Sequence, residues 1–209
     1  MLSLDPARIK PWIGEPPRTS VPETPGYAQI AHEKLNMATG SIAGFVLIPV
    51  WWFIFAAAIT LFGGTDSITI SVDLPRLLLG AFVALVAVPV SHEVVHGLAA
   101  LVVGVRPSYG IGPGFAYTTF PDPLRKFPYL FVGLAPLVVL SILSVLIAVN
   151  SERLASLMLF FAVVNAAGAI GDLWMSWRIL RHPRDAIFYD LADGFAVLTP
   201  TRTPVTCDL

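Results

Sequence analysis

The sequence predicts an all-α membrane protein of about four transmembrane helices, with a short β-like loop between spans two and three. Three observations carry that expectation. Hydrophobic residues fill 56% of the 209 positions and charged residues only 13%, about half the charge usual in a soluble domain. The mean hydropathy is +0.74. The apolar residues are gathered into four stretches, each long enough for the roughly 20 residues a bilayer crossing takes.

Residues 1–40 read as an N-terminal arm. Pro6, Pro11, Pro16, Pro17, Pro22 and Pro25 interrupt it among scattered charges, which excludes the apolar core of a signal peptide. Within it, residues 27–37 are expected as a short amphipathic helix at the interface, with His32, Glu33 and Lys34 toward water. The region 41–180 holds the four spans. No charge lies between Lys34 and Asp66, and 41–63 is almost entirely apolar. Between Arg76 and Arg106 the ionisable residues are His92, Glu93 and His96. Residues 127–151 carry no charge, and 154–177 carry only Asp172. Pro49, Pro89 and Pro136 each remove a backbone donor from a predicted helix, and no catalytic role is read for them. Residues 181–209 form a tail in which Ile187, Phe188, Leu191 and Phe195 are apolar enough to fold back on the membrane surface.

Between spans two and three, Gly110, Gly112, Pro113 and Gly114 precede an aromatic and threonine-rich run from Phe115 to Phe120, ended by Pro121, Asp122 and Pro123. The run has strand propensity and the proline pair reads as a turn. A strand there offers Phe115, Tyr117 and Thr119 to an extended substrate by β-augmentation; an interfacial loop with aromatic anchors is the alternative.

Eleven of the 13 basic residues lie in the arm, the loop between spans two and three, and the tail. Arg76 and Arg153 alone belong to the other two loops. By the positive-inside rule both termini are cytoplasmic, and a multi-pass protein of the cell membrane is expected. A net charge of −1 leaves no field for nucleic acid. The single cysteine, Cys207, excludes an intrachain disulfide framework and any multi-cysteine metal cluster. No internal repeat points to alternating-access transport. The oligomeric state has no signature in the chain.

The chemistry concentrates in the second span. His92-Glu93-Val94-Val95-His96 has the pattern H-E-x-x-H, in which positions i and i+4 share a helix face about 6 Å apart, so that both imidazoles can converge on one metal ion. Glu93 stands one position round, within reach of a water at the metal. Ionisable groups in a bilayer cost about 2.5–3.5 kcal/mol each on insertion scales. A purely hydrogen-bonded reading leaves three of them there without a common purpose. Bis-histidine haem ligation fails because two residues on one helix face cannot approach an iron from opposite sides.

A catalytic zinc site takes three protein ligands and keeps one position open. Asp172 is the candidate third ligand. His96 and Asp172 each lie eight residues before the expected cytoplasmic ends of their spans, near Gly104 and Leu180, and so about 12 Å below those ends. Asp185, Asp190 and Asp193 are rival ligands, but they follow Arg178, Arg181 and Arg184 into the headgroup region. Asn165, two helical turns before Asp172, can orient a ligand, donate to an oxyanion, or simply bond a neighbouring helix.

With these pieces the chain resembles the zincins, and among them the site-2 class of intramembrane zinc metalloproteases. It is more similar still to a group of small membrane proteins known as putative zincin peptidases. The resemblance rests on HEVVHGLAALVVG from His92, GLAPLVVLSIL from Gly133 and NAAGAIGDLW from Asn165. It implies zinc on His92, His96 and Asp172, with Glu93 as base. One departure is that Gly171 precedes the aspartate, where the site-2 class commonly places a glycine after it. The implied function is an intramembrane zinc endopeptidase, with one Zn2+ ion, acting on membrane-protein substrates in the lipid bilayer. The alternative is a catalytically inactive membrane protein whose metal site is structural, serving as a binding partner or chaperone.

Overall fold

A computed structural model describes residues 17–64, 68, 73–112 and 115–201. The first sixteen residues of the arm, Pro113 and Gly114 of the loop, and Cys207 lie outside the described residues.

Helix α1 spans Met37–Gly63. Its start is set by Asn36, whose side chain accepts from the Thr39 N–H at 3.2 Å, and its end by Gly64 in the left-handed region at φ 63°. Asp73 caps α2, Leu74–Phe82, by accepting from Arg76 N at 2.9 Å. A π-helical turn over Val83–Ala87 leads into α3, Val88–Val102. The wide turn sits directly before Pro89, whose ring cannot coexist with a regular bond to the carbonyl four residues back. Helix α4 is Lys126–Asn150. Helices α5, Glu152–Gly168, and α6, Ile170–Leu180, meet at a 45° bend. Among the described residues, three helices are long and apolar enough to cross a membrane, and a fourth span exists if α5 and α6 form one broken passage. Outward-facing Phe45, Phe53, Leu61, Leu85 and Ile142 are exposed, as suits a bundle solvated by lipid.

The all-α expectation is only partly met. Strand β1, Tyr27–Lys34, replaces the expected interfacial helix. Strands β2, Ser108–Gly112, and β3, Phe115–Thr119, form the β-like element expected between spans two and three, as an antiparallel pair. Strand β4, Leu124–Arg125, is followed late in the chain by β5, Ile187–Leu191, and β6, Gly194–Pro200. The larger sheet has the order β1-β6-β5-β4, every neighbour antiparallel, with Lys34 opposite Gly194 and Tyr27 opposite Pro200. The apolar residues of the tail therefore do not lie on the membrane surface. They pair as a hairpin and bury Phe188, Phe195 and Val197 against Tyr129 of α4 and Ile179 of α6.

Two cores result. One joins this sheet to α3, α4 and α6. The other packs Phe55 and Ile59 of α1 against Leu159, Ala162, Val163 and Ala166 of α5. Lys126, at the start of α4, is buried and donates to the carbonyls of Leu180 at 2.8 Å and His182 at 2.7 Å, closing the C-terminal end of α6. These contacts hold α6 against α3 and α4, where the chemical groups lie.

Candidate metal centre

The i, i+4 spacing on α3 puts the rings of His92 and His96 at 4.8 Å between centroids. Opposite them, Asp172 stands in the first turn of α6, where the positive end of the helix dipole favours a carboxylate. His92 Nε2 lies 3.0 Å from Asp172 Oδ2 and His96 Nε2 lies 3.5 Å from Asp172 Oδ1. One ligand atom from each of the three residues lies within 4.8 Å of the others. The structure thus brings together the three ligands expected from sequence, although they stand on a bent pair of helices where one straight span was expected.

The far nitrogens are held as firmly. His96 Nδ1 is 2.9 Å from the carbonyl of Val132 on α4. A carbonyl can only accept, so this nitrogen carries the proton. His92 Nδ1 is 2.9 Å from Asn165 Oδ1, and Asn165 Nδ2 donates to the carbonyl of Pro136 at 3.3 Å. That carbonyl fixes the amide with its oxygen toward His92, so His92 Nδ1 donates as well. Both Nε2 lone pairs then face a carboxylate. Three acceptors so close in a buried place require a shared cation or an extra proton. Two imidazoles and one carboxylate, each imidazole braced by a second hydrogen bond, form a donor set suited to zinc.

A cavity of about 310 Å³ opens beside these groups, lined among others by Glu93, Tyr117, Thr118, Tyr129 and Asp190. Glu93 is half-buried and shares this cavity with both histidines and Asp172. The β2–β3 hairpin is fastened over it, since Thr118 Oγ1 donates to the Glu93 carbonyl at 2.9 Å. Of the residues expected to meet a substrate strand, Tyr117 lines the cavity, Thr119 gives its hydroxyl to Asp190 Oδ2 at 2.7 Å, and Phe115 pairs with Gly112 at the hairpin end.

Asp190 was expected among the headgroups. The β5–β6 hairpin instead carries it to the cavity wall, bonded by Thr119 and, at 3.3 Å, by Tyr129 Oη. It is not in the ligand cluster. Burial pushes its carboxyl up to about 6, against the lowering effect of those two hydrogen bonds. Asp193 turns outward to His32 and Lys34, so it is not a ligand either; Asp185 is exposed and outside the cluster. Sequence reasoning also missed Val132 and Tyr129. A signal for Asp190 exists in the Asp193-Gly194 pair between two apolar runs, which marks a hairpin that returns β5 to the bundle.

No curated protein and no solved structure matches this chain. Residues 85–187, which carry His92, Glu93, His96, Asn165 and Asp172, match the family model described as "Putative zincin peptidase".

Proposed function

We propose that the protein is an intramembrane zinc metalloprotease that hydrolyses peptide bonds of membrane-protein substrates. The observation that carries this reading is the convergence of His92 Nε2, His96 Nε2 and an Asp172 oxygen beside a cavity that Glu93 also lines. The zincin description of the matched segment implies zinc, one ion of which His92, His96 and Asp172 would hold. Such an ion, when bound, acidifies water and polarises a peptide carbonyl.

The remaining steps fall to the chain's own groups. Glu93 accepts the proton that water loses as its oxygen adds to the carbonyl carbon, and returns it to the amide nitrogen as the C–N bond breaks. Asn165 and the Val132 carbonyl keep both rings in the orientation that leaves Nε2 free. A helical substrate hides its peptide bonds and has to unwind near the site. The β2–β3 hairpin, fastened to α3 at Glu93, supplies an extended template for the unwound segment, with Tyr117 beside the cavity. The basic residues of the arm, the loop between spans two and three, and the tail support an orientation with both termini cytoplasmic in the cell membrane.

The test is zinc content and cleavage of a model membrane peptide by purified full-length protein, compared with Glu93→Gln. The reading expects zinc retained in both and hydrolysis reduced about 10²–10⁴-fold in the variant. A native protein that binds no zinc, or hydrolysis untouched by Glu93→Gln, overturns it.

A further inference from the structure

Both imidazoles of α3 are held, directly or through one side chain, by carbonyls of α4 that stand one helical turn apart, at Val132 and Pro136. In a regular helix the Val132 carbonyl accepts from the N–H of residue 136. Proline has no such hydrogen, and its ring crowds the carbonyl four residues back. Pro136 lies inside α4 and is fully buried. The acceptor it releases at Val132 therefore cannot turn to water, and leaving it unpaired is costly. His96 Nδ1 fills that place at 2.9 Å.

The other helix prolines have different surroundings. Pro89 follows the π-turn, and Pro49 sits on the exposed outer face of α1. Pro136 alone of the three faces a histidine of the ligand cluster through the carbonyl it frees.

We propose that Pro136 is a positioning residue of the metal centre. By withholding its N–H it reserves the Val132 carbonyl for His96 Nδ1–H, and this selects the tautomer whose Nε2 lone pair points at Asp172. Its own carbonyl does the same for His92 through Asn165 Nδ2 and Oδ1. A proline chosen merely to bend a helix has no reason to set the Val132 carbonyl it frees against His96 and its own carbonyl against the amide that holds His92. The purpose of the free Nε2 atoms rests on the metallopeptidase reading, whereas the tautomer assignment stands apart from it.

The test uses full-length protein in bicelles with 15N-labelled histidine, read by imidazole 15N shifts and by Co2+ titration of the visible absorption band. In the native chain both rings are expected to carry a proton on Nδ1, and with Zn2+ bound none on Nε2. Pro136→Ala restores the helix donor, and His96 is expected to become a tautomer mixture with Co2+ affinity weaker by about tenfold or more. Pro49→Ala is expected to change neither. A folded Pro136→Ala protein with an unchanged His96 tautomer and unchanged Co2+ affinity overturns the proposal. A native His96 found as Nε2–H overturns it without any variant, so a Pro136→Ala chain that does not fold leaves it exposed to that result. If the native chain takes up no Co2+, the metallopeptidase reading falls, and the native and Pro136→Ala tautomers alone decide for or against Pro136.

Discussion

His92 and His96 are each gripped at both ring nitrogens, on one side by Asp172 and on the other by an acceptor from α4 or α5. Such bracing of ligands typically sets about 10–100-fold in metal affinity. Asn165→Leu keeps the branched heavy-atom skeleton and removes both hydrogen bonds, so we expect zinc affinity to fall by about that factor, measured by competition with a chelating dye. An unchanged affinity would make Asn165 a packing residue. The ligands were legible in the sequence because helix arithmetic is local: four residues bring the histidines together, and equal distances from the span ends put His96 and Asp172 at one depth. Asn165 was legible as a same-face neighbour of Asp172 but not as a partner of His92. Val132 was not legible at all, and Asp190 was legible as a rival ligand but not as part of the cavity wall. Val132 acts through its backbone, which its side chain does not advertise, and Asp190 reaches the cavity through a hairpin that Asp193-Gly194 marks but whose docking on the bundle depends on distant strand pairings.

At the level of elements, close approach of one backbone to another is bought by glycine at two places among the described residues. A Cβ on Gly44 of α1 would stand 2.5 Å from the Ala167 carbonyl oxygen of α5. Gly44→Ala gains about 1 kcal/mol of helix propensity, but backbone of a packed helix cannot step aside cheaply, and overpacking costs about 1–3 kcal/mol. Net destabilisation is expected in denaturant titration of the bicelle-embedded protein. Gly194 has φ 144°, and a Cβ there would lie 1.9 Å from the Glu33 carbonyl oxygen. Gly194→Ala is expected to release β1 from β6, seen as faster amide exchange over residues 28–34. The apolar spans were readable from composition, whereas β1 was not. Of its partly buried positions Tyr27, Ala31 and Glu33, the last is a charged residue whose partner Arg178 lies 145 residues away, so the strand lacks the alternation of apolar and polar residues that identifies one.

Across the whole molecule, Glu33 ties the strand that precedes the bundle to the helix that carries Asp172. It accepts from Arg178 Nε at 2.9 Å and pairs with His182 Nε2 at 3.1 Å. Burial by itself raises its pKa, but the hydrogen bonds and charges of Arg178 and His182 outweigh that and hold it below the usual 4.5. A lowered carboxyl stabilises the fold above its unfolded value and loses that contribution as pH falls through the lowered one. Exchange protection of β1 is therefore expected to decline below pH 4.5, and Glu33→Gln to reduce the dependence while weakening protection at neutral pH, the remainder coming from Asp193, which Lys34 and His32 hold below its usual value against the opposing effect of burial. Protection that stays constant through this acid range in the native chain would sink the assignment.

The larger sheet also counts the crossings. Hydrogen-bonded strands cannot have a bilayer between them. Strand β1 precedes α1, β4 falls between α3 and α4, and β5 and β6 follow α6. Each return to the sheet thus demands an even number of passages: two before β4, and two between β4 and β5. Only α4 lies in that second interval as an unbroken span. If α4 crosses the membrane, parity requires the α5–α6 pair, bend included, to make the return, with the joint between Asn165 and Asp172 inside it.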